Sequence, residues 1–139
     1  MNKTALAFLI LALTTPLAAA EAGPAQTAVL EKYTGEAKAA DPSFSGFSQE
    51  RGKTLFFSEP AAGKPDTPSC TSCHSKNPQE PGRTRAGKEI GPMALSVKSD
   101  RYSDSQETEK WFGRNCDSVL GRPCTPLEKG DFITFMASQ

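Results

Sequence analysis

Two cysteines, two intervening residues and a histidine restrict this chain more than any other feature: Cys70-Thr71-Ser72-Cys73-His74, with the only histidine in the sequence. The spacing is the attachment signature of c-type haem. Two thiols about one turn apart reach two vinyl groups on one porphyrin edge. The adjacent imidazole then lies beneath the iron as its proximal ligand. The motif predicts one haem c per chain, on Cys70, Cys73 and His74. A chain closed around so large an apolar group needs little core of its own. The composition agrees, with only 37% hydrophobic residues and 11 each of Gly and Pro.

Three rival readings compete with haem. A thioredoxin-like redox pair also uses Cys-x-x-Cys, but it wants a βαβ setting, and no period-2 strand pattern is present. A zinc site could join Cys70 and Cys73 to Cys116 and Cys124. Zinc knuckles usually recur as two close-spaced pairs, whereas the second pair here is widely separated. Chance is the third rival. The adjacent His and the leader described next favour haem over all three.

Met1-Asn2-Lys3 leads into an apolar run, Ala5 to Leu13, that closes at Ala18-Ala19-Ala20. This describes a secretory signal peptide over 1–20. The run is too short to cross a bilayer, and no later run predicts a membrane span in the mature chain. The expectation is a soluble, exported, periplasmic protein. With 16 basic and 16 acidic residues, it carries no electrostatic footprint for nucleic acid. Export means an oxidising compartment, where the left-over Cys116 and Cys124 would pair. A disulfide closing so small a loop stabilises by about 2.5 kcal/mol in the chain-entropy account.

The rest of the chain reads as all-α. Residues 21–26 are small and polar and predict disorder. Val29, Leu30, Tyr33 and Ala37 give a short amphipathic helix over 27–39, closed by Asp41-Pro42. This N-terminal segment, 21–43, precedes a domain over 44–139. A second helix is expected over 44–57. Gly52 inside it costs about 1 kcal/mol against Ala, and a crossing helix, approaching through Phe132 or Phe135, would explain it. Residues 58–69 and 75–92 predict loops. Ser103 and Gln106 match a capping box for a helix ending near Arg114, with Trp111 as haem-packing core. Thr125, Pro126 and Glu128 give a stronger start for a terminal helix carrying Phe132, Phe135 and Met136. Arg85 and Lys88 are the cations considered for the haem propionates.

The second axial position decides the function. With no second His, the candidates are Met93, Met136, Asn115, a lysine, or nothing. Met136 falls on the apolar face of the last helix and reads as core. Met93, on the Gly91-Pro92-Met93 loop, would make a simple His/Met electron carrier. Asn115, read from the residues alone, suits a helix C-cap.

One resemblance bears on that choice. Trp111-Phe112-Gly113-Arg114-Asn115-Cys116, Cys124-Thr125 and Glu128-Lys129-Gly130-Asp131-Phe132 resemble the sphaeroides haem protein (SHP) family. Gly91-Pro92-Met93-Ala94, Arg101-Tyr102-Ser103-Asp104, Gly52-Lys53-Thr54-Leu55-Phe56-Phe57 and the haem motif are similar as well. The resemblance implies a class I cytochrome c fold with Asn115 as distal iron ligand beside a Cys116–Cys124 disulfide. It implies that Asn115 leaves on reduction, so that oxygen or nitric oxide can bind. It also implies a diheme cytochrome c and a membrane cytochrome b as electron donors. A hard, neutral amide oxygen suits ferrous iron poorly, which makes release chemically reasonable. Whether such a protein converts the diatomic gas, or only carries electrons, stays open at this level.

The motif reading makes one direct prediction. Acid-acetone extraction of denatured protein should leave one haem on each chain, and Cys70→Ala with Cys73→Ala should release it. Complete extraction from the wild type, or stoichiometric zinc, contradicts the reading.

Overall fold

The computed structural model describes residues 22–139; the expected signal peptide and Glu21 lie outside the described residues. The elements are α1 (Pro24–Ala40), α2 (Gln49–Phe57), a single 3-10 turn (Cys70–Ser72), β1 (Gly82–Arg83), β2 (Glu89–Ile90), α3 (Ser105–Leu120) and α4 (Pro126–Ala137). No described helix is long and apolar enough to cross a membrane.

The expected disorder before residue 27 is not found from Pro24 onward. Proline, with its backbone torsion preset for a helix, occupies the first position of α1. Gln26 is buried, and its amide donates to the carbonyls of Ser99 and Arg101, both at 2.8 Å. α1 lays Val29, Tyr33 and Ala37 into the core, so the segment before residue 44 is part of the same packed unit.

α2 begins at a Ser48 cap, later than the expected residue 44. Its backbone crosses α4 at close range. A Cβ at Gly52 would overlap the Asp131 carbonyl and the Cβ of Phe135, so glycine there is a condition of the packing. The approach expected at Gly52 is real, and Asp131 joins Phe135 in making it. The buried Asp131 carboxylate accepts from the Ser48 amide at 2.6 Å and from the Arg51 guanidinium at 2.6 and 2.8 Å. Charge-assisted bonds of this kind offset much of the cost of burying the carboxylate.

α4 starts as read, with the reciprocal Thr125–Glu128 box and Pro126 at the first position. Its Phe132 ring lies 6.1 Å from Phe56, 5.6 Å from Phe112 and 6.1 Å from Tyr102. Phe56, Ile133, Met136 and Tyr33 are fully buried.

α3 departs from its expected bounds at both ends. Asp104, not Ser103, is the cap, accepting from the Glu107 amide at 2.7 Å, while the Ser103 hydroxyl turns back to the Asp100 carbonyl. The helix passes Arg114 and runs to Leu120, because Cys116, Val119 and Leu120 are buried along its last turns. Gly121, with φ +67°, ends it in the left-handed conformation. The 75–92 stretch is not wholly a loop either: β1 and β2 pair antiparallel, Gly82 with Ile90 and Arg83 with Glu89. The fold is otherwise all-α.

The crossing makes a test. Gly52→Ala should lower unfolding stability by about 1–3 kcal/mol, the usual cost of overpacking, measured by denaturant titration against wild type.

Candidate functional site

Backbone hydrogen bonds hold the motif in a tight turn. The amides of Cys73 and His74 both donate to the Cys70 carbonyl, at 3.3 and 3.0 Å. Ser69 and Ser72 cap the turn reciprocally. β1 presses on it from behind: a Cβ at Gly82 would overlap the Cys73 carbonyl, which accepts from the Arg83 amide at 2.8 Å. Cys70 and Cys73 keep unpaired thiols.

The turn opens onto a cavity of about 660 Å³ whose lining includes Cys70, Cys73, His74, Met93, Trp111 and Asn115. That is ample for a drug-sized or larger group. Burial, with the Arg101 guanidinium a smaller contributor, pushes the His74 imidazole down to about 4. The ring is therefore neutral at ordinary pH, the form that binds a metal. Its Nδ1 is buried and has no hydrogen-bond partner. Burial pushes the Cys70 thiol up to about 11. Two unpaired thiols and a neutral imidazole on one turn, facing one large cavity, fit a covalently attached haem.

Met93 and Asn115 enter the cavity from different segments. Met93 is buried, and its amide donates to the Pro78 carbonyl at 2.8 Å, just after the motif. Its carbonyl accepts from the Tyr102 hydroxyl at 3.2 Å. Tyr102 reaches it from a left-handed backbone, φ +58°, uncommon for a non-glycine residue. Asn115 comes from α3. It lies inside the helix, five residues short of Leu120, so the C-cap role does not apply. The next residue, Cys116, is joined through its sulfur to Cys124. Met136 is fully buried on α4, where it packs in the core.

Trp111 stands on the cavity wall, where it would pack against a bound haem and is 47% exposed without one, and its indole N–H donates to Glu107 at 3.4 Å. Other expectations change. Arg85 pairs with Asp66 and is absent from the cavity lining, whereas Lys88 is part of it. Lys98 and Arg101 also line it. Arg101 was missed because its sequence neighbourhood reads only as a turn. The four-cysteine zinc alternative has no site: among the described residues no three His, Cys, Asp or Glu side chains gather to hold a metal ion.

A family model described as a domain of unknown function (DUF1924) matches residues 42–136. The chain is 48% identical over 134 residues to the cytochrome c-type protein SHP of Cereibacter sphaeroides, covering 95% of this chain and 98% of that one. It is 34% identical over 109 residues to cytochrome c'' of Methylophilus methylotrophus, covering 78% and 76%. Among solved structures, oxidized SHP, described as an oxygen-binding cytochrome c, superposes with a TM-score of 0.75 at 46% identity, over 82% of this chain and 96% of that one. The crystal structure of oxidized cytochrome c'' gives 0.67 at 33%, over 81% and 92%.

The cross-link beside Asn115 sets a measurable expectation. Cys116→Ser with Cys124→Ser should cost about 2.5 kcal/mol of stability, from the loop-closure entropy restored to the unfolded chain, read by denaturant unfolding.

Proposed function

The chain belongs to the SHP family of c-type cytochromes, with one haem c per chain, and from that premise we propose that it is a periplasmic haem protein that binds a diatomic ligand at the reduced iron. In this reading Cys70 and Cys73 carry the haem through thioether bonds and His74 is the proximal ligand. Asn115 is the distal ligand of the oxidised state, and a disulfide between Cys116 and Cys124 anchors it. The haem, when bound, supplies reversible one-electron chemistry and an axial position for a gas such as oxygen or nitric oxide.

One observation carries the reading: Asn115 faces the cavity from the interior of α3, next to the Cys116–Cys124 link. Met93, the rival ligand, is tied by its backbone to Pro78, in the stretch that follows His74. That placement favours a packing role on the His74 side. A helix-borne amide can swing about its side-chain torsions while the cross-link holds the backbone still. Oxygen binding is described for the oxidized SHP neighbour, which supports the same chemistry here. A diheme cytochrome c and a membrane cytochrome b are the electron donors proposed for this site.

Spectra of both oxidation states test the assignment. Oxidised protein should be low-spin without a methionine–iron charge-transfer band. Reduced protein should be high-spin and take up carbon monoxide rapidly. Asn115→Ala should open the oxidised site to azide, and Met93→Ala should leave both spectra nearly unchanged. A six-coordinate reduced iron that loses its ligand in Met93→Ala would instead make this a His/Met electron carrier.

A further inference from the structure

Arg101 is held on both its backbone and its side chain. Its carbonyl accepts from Gln26 at 2.8 Å, and its amide donates to the Lys98 carbonyl at 3.2 Å. Its guanidinium donates from Nε to the Pro92 carbonyl and from Nη2 to the Gly91 carbonyl. The residue is half-buried and lines the cavity. The other charged side chains on that wall are disposed differently. Lys98 is paired with Asp100 at 2.8 Å. Lys88, Glu89, Asp104 and Glu107 are exposed to solvent. Among the described residues, no carboxylate lies within ion-pair distance of Arg101.

The nearest counter-charge, the exposed Asp100, is bonded to Lys98 and acts on Arg101 only at a distance. A half-buried cation bonded only to neutral carbonyls has thus lost part of its hydration without a bonded counter-charge. Of the five N–H donors on a guanidinium, two are engaged here, which leaves three. Their fork geometry matches a carboxylate. The haem c that family membership assigns to this chain carries carboxylates of its own on its propionates. We propose that Arg101 is the positioning residue for a haem propionate. Gln26 fixes the turn that carries it, and the Gly91 and Pro92 carbonyls aim the guanidinium. Arg85, one of the cations suggested by the sequence, is already paired with Asp66 and takes no part.

This inference needs only the attached haem and is independent of which residue binds the distal side. It is tested on holoprotein carrying Arg101→Gln, Arg101→Lys or, as control, Arg85→Gln. Resonance Raman spectra report the propionate bending band, and redox titration at one pH reports the midpoint potential. Arg101→Gln should shift the band and lower the potential, because an uncompensated propionate favours ferric over ferrous iron. Arg101→Lys restores the charge but not the fork, so the potential should return toward wild type while the band stays shifted. Arg85→Gln should change neither. An unshifted band in Arg101→Gln overturns the assignment, whether or not the potential falls. If Arg101→Gln does not mature, Arg101→Lys decides alone, and an unshifted band there overturns it.

Discussion

Two helices meet here with almost nothing between their backbones. At Gly52 the chain has no side chain, and the Asp131 carbonyl occupies the space one would need. The same Asp131 sends its carboxylate back to the start of α2, onto the Ser48 amide and Arg51. One residue thus sets the separation of the two helices and, by bonding across to Ser48, the register between them. Fixing α4 this way fixes Phe132, which meets Phe56 from α2, Phe112 from α3 and Tyr102 from the turn before α3. The cavity walls hang from that ring.

Local chemistry was legible in the sequence wherever it was also strong. The Thr125–Pro126–Glu128 start of α4 stands where read, because Thr125 and Glu128 satisfy each other's backbone N–H three residues apart and Pro126 has no N–H to satisfy. Gly52 was legible as a misfit, a helix-interior glycine with no local reason to be there. α3 was harder. Two overlapping boxes, Ser103 to Gln106 and Asp104 to Glu107, differ by one residue, and the hydroxyl of Ser103 is drawn away by Asp100. At the other end, Asn115, Asp117 and Ser118 are mediocre helix formers. Burial of Cys116, Val119 and Leu120 on one face outweighs that weakness. The extension from Arg114 to Leu120 matters for the site, since it turns Asn115 from a helix terminus into a point on a helix wall. Gln26 was illegible. Its partners lie more than 70 residues away, and nothing in a run of small polar residues announces them.

The cavity has two kinds of wall. The motif side is held by main-chain bonds among Cys70, Cys73 and Arg83 and between Pro78 and Met93, which leave little freedom to rearrange. The α3 side presents side chains from a helix cross-linked near its end, at Cys116. Motion there is cheap for a side chain and costly for the backbone. Such a site suits a stationary inner ligand and an exchangeable outer one, as the proposed function requires.

The two Gln26 bonds have a consequence for how the chain comes together. They tie the first helix to Ser99 and Arg101, and that helix packs on α4, the last. A chain emerging with its N-terminus first has made α1 long before anything exists for it to grip. Contacts this distant form late and slowly. Until the final helix arrives, the ends cannot close over the middle, and the two thiols at Cys70 and Cys73 remain within reach of whatever must be joined to them.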